Sequence, residues 1–138
     1  MRIYGLSREP RHTGLPGAGA LWLVAALAAG GAAGAEPAAT TVEMRPTPLS
    51  ERSWFVQGET ALGSTANQNF ISNAGFVVTG DSVVVIDALG SPALATQLLQ
   101  RIARITPKPV SHVLVTHYHA DHIYGLQTFK AAGASIVA

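Results

Sequence analysis

A short apolar segment that leads directly into a cluster of histidines is the feature that most constrains this sequence. Residues 110–116 (VSHVLVT) are almost wholly apolar and follow the turn residues 106–109 (TPKP). A run of this length between turn signals predicts a strand with both faces covered. Such a strand needs packed elements on each side, so the sequence predicts an α/β layered domain.

The segments upstream predict further strands of the same sheet. Residues 54–57 (WFVQ) predict a short strand. Two apolar runs, residues 69–79 and 82–88, flank the turn signal Gly80-Asp81 and predict a β-hairpin. The helix pattern begins only after this hairpin.

Two helices are predicted downstream of the hairpin. Ser91 followed by Pro92 is typical of a helix N-terminus. Spacings of four, four and three residues predict one apolar face of that helix, formed by Leu94, Leu98, Ile102 and Ile105. Residues 122–132 predict a second helix that ends at Gly133, and residues 135–138 predict another strand.

The residues that could bind a metal or take part in catalysis follow the apolar strand, in the sequence THYHADHIYG. His117 and His119 are two residues apart at the end of an extended segment, so they project to the same side and can hold one zinc ion. Asp121 and His122 offer an oxygen and a nitrogen ligand for a second ion. The alternative is a solvent-exposed loop without a ligand role, but three histidines and an aspartate within six residues favour metal binding.

The first 35 residues differ in composition from the remainder. Arg2, Arg8 and Arg11 precede an apolar run at 20–29 (ALWLVAALAA), and Ala33-Gly34-Ala35 follows it. This pattern predicts a secretory signal peptide, residues 1–35, and an exported protein, either periplasmic or secreted. The alternative is a membrane anchor, but the apolar run falls short of the roughly 20 residues that a transmembrane helix needs. We therefore expect no stable membrane anchor after cleavage.

Charge and cysteine content exclude several classes of function. The whole chain carries a formal charge of +1, and residues 36–138 hold six basic against seven acidic side chains, a formal charge of −1. This balance disfavours a nucleic-acid partner. Because the chain has no Cys, it has no disulfide, no thiolate metal ligand and no lipid-modified cysteine. Residues 36–53 have three prolines and no apolar period, and predict an extended arm before a domain at 54–138.

The cluster resembles the signature of the metallo-β-lactamase fold superfamily, His-x-His-x-Asp-His. The run VVVIDA, then a helix, then the apolar strand, is similar to the superfamily's layout, and Gly125 matches a small residue that lets the next helix approach the metal loop. The resemblance covers residues 54–138 and implies the N-terminal half of an αββα sandwich. Residues 58–87 also look like exported zinc metallohydrolases associated with quinoprotein and sulfur-oxidation systems.

The resemblance implies a role for each matching residue. His117 and His119 would bind the first metal, and Asp121 and His122 the second. Asp121 would also take a proton from the nucleophilic water, which makes it the predicted catalytic residue. Asp87 matches an acid that lies close to the metals without binding them, although an Asp at a strand end is also a common turn residue. The implied cofactor is zinc, up to two ions, with iron and manganese as alternatives.

The implied activity is hydrolysis of a small-molecule ester, thioester or amide, in which a metal-bound hydroxide attacks the carbonyl carbon. In this superfamily a second half supplies further ligands, and catalytic zinc normally has three protein ligands. We therefore expect the chain to be a fragment, inactive alone, of a longer enzyme. The alternatives are a β-lactamase proper, a persulfide dioxygenase with one iron, and a metal-binding remnant without activity. Export and a charge of −1 argue against a nuclease. The substrate and the oligomeric state are left open.

Overall fold

Six strands lie side by side, in chain order, in one mixed sheet. The computed structural model describes residues 40–138, so the predicted signal peptide at 1–35 lies outside the described residues. The first four strands pair antiparallel, whereas the last three are parallel to one another. The described residues therefore form the predicted α/β layers. The strands are β1 (Thr47–Pro48), β2 (Ser53–Val56), β3 (Ala74–Val78), β4 (Val83–Ile86), β5 (Val110–Leu114) and β6 (Ser135–Val137).

The first helix, α1 (Pro92–Ile105), matches its prediction closely. The Ser91 hydroxyl accepts a hydrogen bond from the Leu94 N–H at 3.2 Å and caps the helix, with proline in the first turn. Leu94, Leu98 and Ile102 are buried, whereas Ile105 is 39% exposed at the last turn. Across residues 40–138, no helix combines the length and apolarity that crossing a bilayer requires.

The second predicted helix is wrong in its bounds and in its continuity. Instead of one helix over 122–132, the chain forms α2 (Ala120–Ile123) and α3 (Leu126–Ala131). The break occurs at Gly125, whose N–H donates to the Leu89 carbonyl at 3.1 Å rather than to a carbonyl of α2. A contact with a distant loop interrupts the helix, and local sequence pattern carries no signal of that contact.

The hydrophobic core lies between the sheet and the helices. On the sheet side, Trp54 stacks on Phe76, with ring centroids 5.1 Å apart. Met44 is also fully buried in this core, and the Gln97 amide donates to the Val42 carbonyl at 2.9 Å. The segment predicted as an extended arm, residues 36–53, therefore contributes a core side chain and the edge strand β1. Packing of the domain begins before Trp54.

One row of residues across the opposite face of the sheet is apolar as well, although His112 and Ser135 lie on the same face. Phe55, Gly75, Ile86, Leu114 and Val137 are successive neighbours across the strands. Among them, Leu114 and Val137 are 40% and 48% exposed. Within residues 40–138, no helix or second sheet covers this face. The expectation that the strand at 110–116 is covered on both faces is therefore met on one face only.

The parallel arrangement of β4 and β5 determines where the polar residues meet. Ile86 lies opposite Leu114, and the Asp87 N–H donates to the Leu114 carbonyl at 2.9 Å. The carboxyl ends of both strands therefore reach the same edge of the sheet. In α/β sheets this edge is where ligands commonly bind. Asp87 leaves one strand there, and the segment with His117 leaves the other.

Gly125 allows α2 and α3 to approach the loop after β4. A methyl group at this position would overlap the Ala88 carbonyl oxygen and lie 2.7 Å from the Ala95 Cβ. Real Cβ atoms do not approach other heavy atoms this closely, so any side chain here would force the histidine segment away from Asp87.

We expect Gly125→Ala to lower the free energy of unfolding by about 1–3 kcal/mol or more, because overpacking in a buried site strains its neighbours. Gly80→Ala is the matched control, since a Cβ at Gly80 meets no atom within 4 Å. Urea unfolding of both variants measures the difference. Equal stability of the two variants would contradict the proposed close approach.

Candidate metal centre

The structure brings the four predicted ligands to one place at the carboxyl edge of the sheet. His117 and His119 lie between β5 and α2, and Asp121 and His122 lie in α2. The His117 ring centroid is 4.6 Å from that of His119 and 4.1 Å from that of His122. The His122 Nε2 is 3.5 Å from the Asp121 Oδ2. The ligand role of these residues stays a prediction, but their grouping is a property of the fold.

The buried carboxylate of Asp87 is hydrogen-bonded to this histidine cluster. The side chain of Asp87 is 7% exposed and accepts three hydrogen bonds. Its Oδ1 accepts from the Thr116 N–H at 2.8 Å. Its Oδ2 accepts from the Thr116 hydroxyl at 2.7 Å and from the His122 Nδ1–H at 2.8 Å. Asp87 therefore ends its strand, as the turn interpretation expected, and also contacts a predicted ligand directly.

These hydrogen bonds assign the tautomers of two histidines. A carboxylate can only accept, so the His122 Nδ1 carries a proton, and in the neutral ring Nε2 then keeps its lone pair. The Thr116 hydroxyl gives its proton to Asp87, and its oxygen accepts from the His117 Nδ1–H at 2.9 Å. His117 therefore also keeps a free Nε2 lone pair. Histidine ligands of metals are commonly oriented by a hydrogen bond of this kind on the other ring nitrogen.

The donor set fits a divalent metal in its chemistry, although it is incomplete for catalytic zinc. Imidazole nitrogen and carboxylate oxygen are both zinc ligands. In the part of the chain that the structure describes, however, no group of three or more His, Cys, Asp or Glu side chains is already arranged around one metal position. His117 and His119 are exposed, whereas Asp121 and His122 are half-buried. The site therefore opens to solvent on the side of the first two histidines.

The remaining aromatic and histidine residues divide between the site and the surface. His112 is exposed on β5, away from the four predicted ligands, and its Nδ1 lies 2.9 Å from the Ser111 hydroxyl. Tyr118 is 81% exposed and meets the His119 ring edge-on. Tyr124 lines a cavity of about 180 Å³ beside α2, together with Asn69, Ile71, Gly90, Ala120 and Asp121.

Two residues of this site were not found from the sequence. Thr116 links His117 to Asp87, and the hydroxyl of the buried Ser72 donates to the Asp121 carbonyl. The position of Thr116 next to the first histidine is a usable sequence signal. Ser72 has none, because it lies in the segment between β2 and β3 and reaches α2 only through the fold.

Comparison with known proteins identifies the same part of the chain. Residues 68–135 match the family described as "Metallo-beta-lactamase superfamily". These residues include Asp87 and all four predicted ligands. The match also includes Ser72 and Thr116, so it covers all the polar residues that the structure brings together at the carboxyl edge of the sheet.

One curated relative is the "Metallo-beta-lactamase type 2" of Bacillus cereus. It is 31% identical to this chain over 85 residues, and the alignment covers 62% of this chain and 32% of the relative. The chain therefore spans about a third of the length of that relative. The family match, the relative and the grouped His-x-His-x-Asp-His residues agree, and the chain belongs to the metallo-beta-lactamase superfamily.

Proposed function

We propose that this chain is part of an exported zinc-dependent hydrolase that acts on a small-molecule ester, thioester or amide. Membership of the superfamily suggests a metal-dependent hydrolase as the general class. The observation that carries the proposal is the hydrogen-bond network of Asp87 and Thr116, which leaves the Nε2 atoms of His117 and His122 free. Surface histidines without a ligand role need no such orientation.

The proposed ligands divide into two pairs. His117 and His119 would hold one ion, and Asp121 and His122 a second. Zinc is the proposed metal, with iron and manganese as alternatives. A divalent ion of this kind polarises a carbonyl group and lowers the pKa of water to about 7.

The chain's own residues have three further tasks. Asp87 holds His122 and, through Thr116, also His117 in the orientation that leaves Nε2 free. The Asp121 carboxylate would accept a proton from the attacking water. The cavity beside Tyr124 and Asp121 offers room for part of a small substrate.

We also propose that the complete site needs residues from elsewhere in a longer parent protein. Each pair supplies two ligands, whereas catalytic zinc normally has three protein ligands. The apolar row of Phe55, Leu114 and Val137 on the sheet has no covering layer among residues 40–138, which supports the same proposal. The chain alone would therefore bind metal weakly and hydrolyse little substrate.

A β-lactam is the second candidate substrate, favoured by the similarity to the "Metallo-beta-lactamase type 2" of Bacillus cereus. The deciding experiment uses a version extended by the parent's downstream reading frame, and compares a chromogenic cephalosporin with nitrophenyl ester and thioester substrates. Turnover of the esters alone supports the proposed hydrolase, and turnover of the cephalosporin supports the second candidate. If the zinc-loaded extended protein turns over neither class, the proposal fails.

For metal binding we expect His117→Ala and His119→Ala each to weaken zinc binding by the full chain at least tenfold, because each removes a nitrogen donor. His112→Ala is the matched control, since this exposed histidine lies on β5 away from the cluster. Calorimetric titration with zinc gives the affinities. If the control loses as much affinity as the two variants, the cluster is not the metal site.

For Asp87 we expect Asp87→Asn to weaken zinc binding by about 10–100-fold, as for other partners of metal-binding histidines. An asparagine side chain has one acceptor oxygen, so it cannot satisfy both the Thr116 N–H on one side and the His122 Nδ1–H on the other. Asp81→Asn, in the exposed turn between β3 and β4, serves as the control. Wild-type zinc affinity in Asp87→Asn, with unchanged stability, would argue against the orienting role.

For export we expect the mature protein to begin at Glu36 when the full chain is produced with its N-terminal segment. The pattern of basic residues, apolar run and Ala33-Gly34-Ala35 supports cleavage there. N-terminal sequencing of the protein recovered from the periplasm or medium measures the site. Recovery only from the cell interior, with Met1 or Arg2 at the N-terminus, would exclude this part of the proposal.

A further inference from the structure

The short helix α2, which carries Asp121, is not stable on its own. α2 has four residues, and no side chain of the described residues caps its N-terminus at His119. Helices of this length have little stability of their own in water. The place of Asp121 and His122 therefore depends on contacts from other parts of the chain.

The carbonyl groups of α2 find their partners outside the helix. The Tyr124 N–H donates to the Ala120 carbonyl at 3.0 Å, which completes the single helical turn. The next donor in the helical series is the Gly125 N–H, and it is turned to the Leu89 carbonyl instead. The carbonyl of Asp121 is thereby left without its helical partner, and a carbonyl that is partly removed from water needs another donor.

The Ser72 hydroxyl takes the place of that missing donor. Its Oγ donates to the Asp121 carbonyl, across 49 residues of sequence. In the same way the Ala88 N–H donates to the His122 carbonyl at 2.8 Å. Loops therefore replace the helical partners of both residues, and for Asp121 the replacement is a single side chain.

Ser72 is itself held rigidly. It is 4% exposed and lies two residues before the central strand β3. The neighbouring segment is bound to the end of β2, since the Glu59 N–H donates to the Phe70 carbonyl at 2.8 Å. A Cβ at Gly58 would overlap the Ser72 carbonyl oxygen, which shows how closely the two segments approach. The hydroxyl is therefore pre-positioned, and little conformational entropy is lost in the contact.

We propose that Ser72 is a positioning residue for Asp121: its hydroxyl fixes the main chain of α2 and so places the Asp121 carboxylate and His122 for the second metal. The metal part of this inference rests on the proposed function, whereas the anchoring of α2 does not. His117 lies three residues after β5 and is held through Thr116, and His119 precedes α2 as its cap residue, so we expect this first pair to depend less on Ser72 than Asp121 and His122 do.

The test titrates the full chain with Co²⁺ and follows its visible absorption. In Ser72→Ala we expect binding of the second equivalent to weaken about tenfold, and that of the first to stay within about twofold, the size of effect typical for groups that orient metal ligands. Ser72→Thr keeps a hydroxyl and should restore most of the affinity. Ser135→Ala, on the exposed edge strand β6, is the matched control. Equal weakening of both equivalents, or of neither, would overturn the metal part of the inference.

A second measurement, amide hydrogen exchange on the metal-free chain, tests the anchoring itself. We expect Ser72→Ala to speed exchange at least tenfold in residues 121–125 while α1 and β3 to β5 keep their protection. Unchanged exchange at 121–125, or an equal increase throughout the sheet, would overturn the inference. If the wild-type chain binds no Co²⁺ at all, the proposed metal function fails; if it binds one equivalent only, the metal part of this inference fails. In both cases the exchange pattern still decides whether Ser72 anchors Asp121.

Discussion

The Asp87 carboxylate connects the sheet to the histidine cluster through hydrogen bonds to Thr116 and His122, and the rest of the site depends on it. It is buried at the end of β4 and accepts from the Thr116 main chain, the Thr116 hydroxyl and His122. A buried carboxylate is stable only when such donors surround it. The same donors set the tautomers of His117 and His122, so the hydrogen bonds that satisfy this buried carboxylate also leave the Nε2 atoms of both rings free.

Strained backbone lies close to this carboxylate. Asp87 and Leu89 have φ angles of 61° and 66°, in the left-handed region that residues with a Cβ rarely adopt. Each costs about 1–2 kcal/mol relative to the ordinary conformation. The strained loop delivers the Ala88 N–H to the His122 carbonyl and the Leu89 carbonyl to the Gly125 N–H. The strain is therefore offset by the contacts that hold α2 beside β4, which is typical of functional sites.

How far the sequence predicts each element depends on how local its causes are. The start of α1 was predictable because Ser91, Pro92 and the apolar spacing act within a few residues of one another. The helix predicted over 122–132 was wrong because Gly125 bonds to a loop 36 residues earlier in the sequence. Met44 was assigned to an arm because a few scattered apolar residues among prolines show no period, yet its side chain is buried in the core.

The sequence by itself predicted the α/β class and the four candidate metal ligands, because each has a short-range pattern of composition or spacing, and the family resemblance added the acid after β4. The tertiary structure alone decided which hydrogen bonds orient those ligands. Thr116 became a link between His117 and Asp87, and Ser72 became the partner of Asp121, only when parallel strands and a close approach at Gly125 brought distant segments together. Hydrogen bonds act over about 3 Å, so side chains far apart in sequence can form them only after the chain has folded.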